Sequence, residues 1–131
     1  MRYVADTSAF LAVAMNEPEK AWLVDVTDGC DLAAPAVLPY EVGSALSALV
    51  RRRDVAPQEA PAVWDAVARI PVELIEVDAR AAMLLAVRTN VYAYDAYFLQ
   101  CALETRCPLL TLDRKMGRVA KKLDIKLVEQ P

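Results

Sequence analysis

Histidine is absent from all 131 residues. That removes the side chain that titrates near neutrality, and with it the Ser-His-Asp and Cys-His constellations. Cysteine is scarce and odd in number. Cys30, Cys101 and Cys107 show no CxxC spacing, and no histidine stands by to complete a zinc set. Reduced, structural thiols are expected. No apolar run is long enough for a signal peptide or a membrane span, so the chain is expected in the cytoplasm, without a membrane partner. Bias toward disorder or low complexity is missing too. Any catalysis must therefore rest on carboxylates, lysine, tyrosine or a metal.

What is present is a chain 56% hydrophobic, enough for one domain spanning residues 1–131 with a substantial core. Short strand signals alternate with helical ones. Residues 2–6 read as a strand and 7–15 as a helix capped by Thr7 or Ser8, with a turn at Asn16-Glu17-Pro18 and a second helix at 19–27. A weak strand at 31–34 is closed by Pro35. Residues 39–53 carry Val42, Ala45, Leu46, Leu49 and Val50 at helical spacing, and 57–70 continue as helix with Pro61 in its first turns. A strand at 72–77 leads to Asp78, which caps a helix reaching about Thr89. Helices at 94–104 and 113–123 flank a strand at 109–112, and 125–128 read as a last strand. Such alternation predicts an α/β class fold, a three-layer α/β/α sandwich around a parallel sheet.

In such sheets ligands bind beyond the carboxyl ends of the strands, where strand order reverses. Asp6 ends the first strand and Asp113 follows the strand at 109–112, so both point to that crevice if the strands are neighbours. Glu41 and Asp95 join them at the starts of two helices. Singly, Asp95 favours a helix dipole whatever the function, and Asp113 in LLTLDRK reads as an N-cap. Asp6 is harder to dismiss. A carboxylate closing a buried strand is costly unless something compensates it. Four gathered carboxylates raise one another's pKa values, and a divalent cation removes that cost. Oxygen ligands without histidine or thiolate select a hard ion, Mg²⁺ or Mn²⁺, and that suits hydrolysis of a phosphodiester.

Asp6-Thr7-Ser8 after a first strand, Glu41 in LPYEVGSAL, YDAYFLQCALE around Asp95 and LLTLDRKM around Asp113 together resemble the PIN-domain nucleases. Within them the chain is most similar to VapC-type toxins of toxin-antitoxin pairs, over residues 2 to about 128. The resemblance implies a PIN-like sandwich and an Mg²⁺- or Mn²⁺-dependent endoribonuclease that hydrolyses RNA by metal-activated water, leaving a 5′ phosphate and a 3′ hydroxyl. It maps the acidic site onto Asp6, Glu41, Asp95 and Asp113, with supporting polar groups at Thr7 or Ser8 and at Thr111. Asp6 and Asp95 are then the principal metal ligands, while Glu41 and Asp113 complete the charge and orient water. Arg114 and Lys115 stand where some relatives carry a further acid. The same resemblance implies a homodimer and a cognate antitoxin, whose own DNA-binding part supplies any contact with DNA. Phe10, Leu11, Trp22, Leu46 and Leu49 are candidates for the antitoxin groove.

The formal net charge of −3 opposes RNA binding, which draws on Lys and Arg to neutralise phosphates. Local distribution compensates in part. Arg51 to Arg53 end the Glu41 helix, where cations also favour the dipole, and Arg114, Lys115, Arg118, Lys121 and Lys122 decorate the helix after Asp113. Arg114, Lys115 and Arg118 are the expected RNA contacts. Tyr92, Tyr94, Tyr97 and Phe98 crowd the Asp95 helix and suit a core or a dimer interface better than base stacking; Trp22 and Trp64 lie outside the site. Two other readings stay open: a non-catalytic PIN-like module that binds RNA or antitoxin, and a receiver-type signalling domain using Asp6 and Asp78.

Overall fold

The computed structural model describes residues 1–129; Gln130 and Pro131, the end of the expected domain, lie outside the described residues. In chain order the elements are β1 (Arg2–Ala5), α1 (Thr7–Ala14), α2 (Lys20–Thr27), β2 (Asp31–Pro35), α3 (Leu38–Arg51), a 3₁₀ turn (Pro57–Glu59) and α4 (Ala60–Ala68). Then follow β3 (Glu73–Ile75), α5 (Ala79–Thr89), α6 (Ala93–Thr105), β4 (Leu109–Leu110) and α7 (Arg114–Lys122). The strands form one parallel sheet in the order β3-β2-β1-β4. Helices cover both of its faces, giving the α/β/α sandwich. On one side α1, α3 and α4 pack together, and α6 packs on α5, β1 and β2.

Burial explains the strands. Val4, Ala5, Ala33, Ala34, Leu109 and Leu110 are all 2% exposed or less, as expected for central parallel strands covered on both faces. Leu38, Val42 and Leu46 repeat every four residues along α3 and enter the core as one stripe. Asp78 caps α5 by accepting from the Ala81 N–H at 3.0 Å, and α5 stops at Asn90, which adopts a left-handed conformation with φ 57°. The three cysteines are free thiols, and burial pushes the fully enclosed Cys101 up to about 12, which leaves it inert.

Four local expectations are corrected. The cap of α1 is Asp6, not Thr7 or Ser8, because its extended backbone lets Oδ1 accept from the Ala9 N–H at 3.2 Å. The helix expected at 57–70 divides into the 3₁₀ turn and α4, with Pro61 in the first turn of α4, where its missing N–H costs nothing. The strand at 72–77 shrinks to the edge strand β3, which has a neighbour on one side only. Residues 125–128 form only a bridge between Leu127 and Leu109, because β4 offers just two residues to pair with.

The topology fixes where a site can lie. From β1 the chain steps outward through β2 to β3, then returns to the far side of β1 to lay down β4. Strand order reverses between β1 and β4, and the crevice opens beyond their carboxyl ends. The α5 and α6 pair anchors that return crossing. Leu85→Ala, at a position 2% exposed, should cost about 2–5 kcal/mol in urea unfolding. A loss below about 1 kcal/mol would show that α5 is not packed as described.

Candidate acidic site

Asp6 leaves β1 directly into the crevice and is 3% exposed. Its carboxylate is held from three directions: the Ser8 hydroxyl donates to Oδ1 at 2.6 Å, the Ala9 N–H to the same oxygen, and the Thr111 hydroxyl to Oδ2 at 2.5 Å. Both hydroxyls also accept from the loop that follows β4. Ser8 takes the Leu112 N–H at 3.0 Å and Thr111 the Asp113 N–H at 3.0 Å. The loop bearing Asp113 is thereby stitched to Asp6. A carboxylate offers about four acceptor positions, so roughly one, on Oδ2, is left open.

The other acids arrive from separate elements. Glu41 lies in the first turn of α3 and Asp95 in the first turn of α6, both half-buried. Asp113 is exposed and caps α7, accepting from the Met116 N–H at 3.1 Å. Its capping role is therefore real and coexists with its position. All four acids, with Thr7 and Ser8, line one cavity of about 320 Å³. Thr111 and Asp113 also line an adjoining cavity of about 550 Å³, whose wall includes Trp22, Arg114, Arg118 and Lys121. That larger space holds two of the expected RNA contacts, whereas the smaller one holds the acids. Lys115 lines neither, yet its charge acts on Asp95.

Electrostatics follows from this convergence. Burial pushes the Asp6 carboxyl up to about 6, the hydrogen bonds from Ser8, Thr111 and Ala9 work against that rise, and the Asp113 charge adds to it. Glu41 is raised by burial and then by the charges of Asp95 and Asp6. Asp95 is raised by burial and by Asp113, with Lys115 opposing. Among the described residues, none of the four acids forms a salt bridge.

The donor set suits a hard divalent cation. The anionic and hydroxyl donors in the cavity wall are all oxygens, with Met116 the one sulfur beside them, and Glu41 Oε2 and Thr7 Oγ1 are buried without a hydrogen-bond partner among the described residues. No three acidic or sulfur side chains among those residues are already gathered tightly enough to chelate an ion directly. Mg²⁺ keeps several waters and takes as few as one or two carboxylates, so it does not require three.

Some expected positions lie elsewhere. Asp78 caps α5 and does not line the acid cavity, so the pair that a receiver-type domain needs is not assembled. Phe10 and Leu46, proposed for a groove, are 2% and 5% exposed and belong to the core, while Leu11 and Leu49 do line the cavity. Trp22 faces α7 across the larger cavity. Phe98 is core, whereas Tyr92 and Tyr94 stay exposed. Of the run Arg51 to Arg53, Arg52 alone lines the acid cavity. Helical phase carried that signal: eleven residues beyond Glu41 is about 1100°, within about 20° of the same direction.

The PIN domain family model matches residues 3–122. Among solved structures, PAE2754 from Pyrobaculum aerophilum is 22% identical with a TM-score of 0.66, covering 91% of this chain and 87% of that one. A chain of VapBC2 from Rickettsia felis, bound to a DNA fragment from their promoter, is 12% identical with a TM-score of 0.65 and 97% coverage of both chains. At those identities the two structures support the fold alone. No curated protein matches the chain.

The raised Asp6 carboxyl has a stability consequence in chelator. The folded chain binds that proton more tightly than the unfolded chain, so stability is whole below about pH 4 and is lost as pH rises through about 6. A rise from about 4 to about 6 corresponds to on the order of 3 kcal/mol. Urea unfolding should show Asp6→Asn gaining on the wild type across that window. Parallel pH profiles would show that the buried charge is not the cost described.

Proposed function

The chain belongs to the PIN domain family, and from that premise we propose that it is a divalent-metal-dependent endoribonuclease serving as the toxin of a toxin-antitoxin pair. The observation that carries this reading is the meeting of Asp6, Glu41, Asp95 and Asp113 in one cavity at the carboxyl ends of β1 and β4. No lysine or arginine is paired with them among the described residues, and three of the four have raised pKa values. A site with that charge is matched to a dication and to a substrate whose phosphate oxygens complete its coordination.

Bound Mg²⁺ or Mn²⁺ supplies charge neutralisation at the phosphate and an activated water. Asp6 and Asp95 would hold it. Asp6 is oriented for that task by Ser8 and Thr111, which fill its other acceptor positions. Glu41, with one buried oxygen unpartnered and its pKa raised, is suited to orient the attacking water and take its proton. Asp113 completes the negative charge of the wall. The resemblance to PIN-domain nucleases implies products with a 5′ phosphate and a 3′ hydroxyl, and the absence of histidine, the usual base of the 2′-hydroxyl route, agrees with that.

Arg114, Lys115 and Arg118, on or beside the larger cavity, are assigned to the RNA phosphates. The resemblance of the Asp6, Glu41, Asp95 and Asp113 segments to VapC-type toxins supports an antitoxin partner, which would supply any contact with DNA. Met83, Leu84 and Val87 leave an apolar stripe of α5 exposed, 46%, 45% and 74%, and that face supports a homodimer. No helix among the described residues is long and apolar enough to cross a membrane, and the cytoplasm is the proposed compartment.

Purified protein with Mg²⁺ or Mn²⁺ should cut RNA, and Asp6→Asn or Asp95→Ala should lower the rate by at least about a hundredfold while circular dichroism stays unchanged. Cleavage at the wild-type rate by either folded variant would refute the site. Expression of the wild type alone should also arrest growth, and Asp95→Ala should relieve the arrest. Equal arrest by that variant would place the toxicity elsewhere.

A further inference from the structure

The cavity lined by the four acids continues along α3. Its wall there is Glu41, Ala45, Ala48, Leu49 and Arg52, one stripe of the helix. At about 1.5 Å per residue, the Arg52 backbone stands about 16 Å from that of Glu41 along the axis. The trough thus has carboxylates at one end and a guanidinium at the other, with small and apolar side chains between. Arg52 is its only cationic residue among those described.

Among the described residues that guanidinium makes only one loose, exposed ion pair. Its ion pair runs from Nε to Asp54 at 3.4 Å, with the two side chains 65% and 58% exposed, a contact worth at most about 1 kcal/mol. The neighbouring arginines do not line the trough: Arg51 donates weakly to Ser47 at 3.5 Å, and Arg53 turns the chain away at φ 65°. Attraction to the helix dipole applies to all three and does not explain why one alone closes the trough.

We infer that Arg52 grips a backbone phosphate of single-stranded RNA remote from the cleaved bond, so that the substrate lies along α3. This rests on the proposed nuclease reading and adds the path of its substrate. A guanidinium matches a phosphate in two parallel hydrogen bonds and does so without regard to sequence. A span of about 16 Å equals roughly five nucleotides stacked at about 3.4 Å each, and fewer when extended. A strand too short to cover that span cannot use Arg52.

The test is binding of fluorescein-labelled oligoribonucleotides, a single-stranded dodecamer and a trinucleotide, followed by anisotropy with Ca²⁺ in place of Mg²⁺. Arg52→Ala should weaken the dodecamer about tenfold and reduce the slope of log affinity against log salt by about 0.7, the single-strand value for one phosphate. The trinucleotide should bind as it does to the wild type. Asp54→Ala, which frees the guanidinium, should bind the dodecamer at least as tightly as the wild type. Unchanged dodecamer binding by Arg52→Ala, equal losses on both lengths, or Asp54→Ala behaving like Arg52→Ala would each overturn the inference. If RNA is still cut in those cases, the nuclease reading survives and the trough is left to a protein partner. A wild type that neither binds nor cuts RNA would remove both.

Discussion

Burial of one carboxylate organises this molecule. Asp6 closes β1 where the chain is sealed on both faces, and its charge meets two hydroxyls and a backbone N–H but no cation among the described residues. Those hydroxyls do double duty. By accepting from Leu112 and Asp113 they tie the loop after β4 to the end of β1, so the group that is costly to bury also sets the shape of the crevice. Burial raises the Asp6 carboxyl to about 6, and a bound dication, on the proposed reading, would offset the same cost.

That constraint accounts for the uneven distribution of charge. An overall net charge of −3 is a poor attractor for RNA. The cations that bear on the site are few and placed at its margins: Arg52 at the end of α3, and Arg114, Lys115 and Arg118 on α7. On the proposed nuclease reading, an acidic centre with a basic margin would let phosphates approach from the sides while the centre stays negative enough for a dication. Uniform basic charge would serve affinity and lose that contrast.

The parts of the fold legible in sequence were those governed by local chemistry or by strong periodicity. The apolar stripe of α3, the Asp78 cap and the alternation of strands with helices needed no tertiary information. The acids are legible because a carboxylate at an element's end is conspicuous, whereas the pairing of β1 with β4 that brings Asp6 and Asp113 together is a condition only the sheet order meets. The cap of α1 was misplaced because three consecutive polar residues compete for it, and only the backbone turn at Asp6 decides. The bridge at Leu127 was read as a strand because sequence does not reveal that its partner β4 has two residues. Phe10 and Leu46 looked available for a groove for a similar reason: an apolar residue on a helix does not show which face the next layer covers.

The most direct test of the central claim is diffraction from crystals soaked in Mn²⁺, with data collected where manganese scatters anomalously. The account predicts a peak in the cavity between the carboxylates of Asp6 and Asp95, lost in crystals of Asp6→Asn. A peak elsewhere, or none at an ion concentration that supports RNA cleavage, would contradict it.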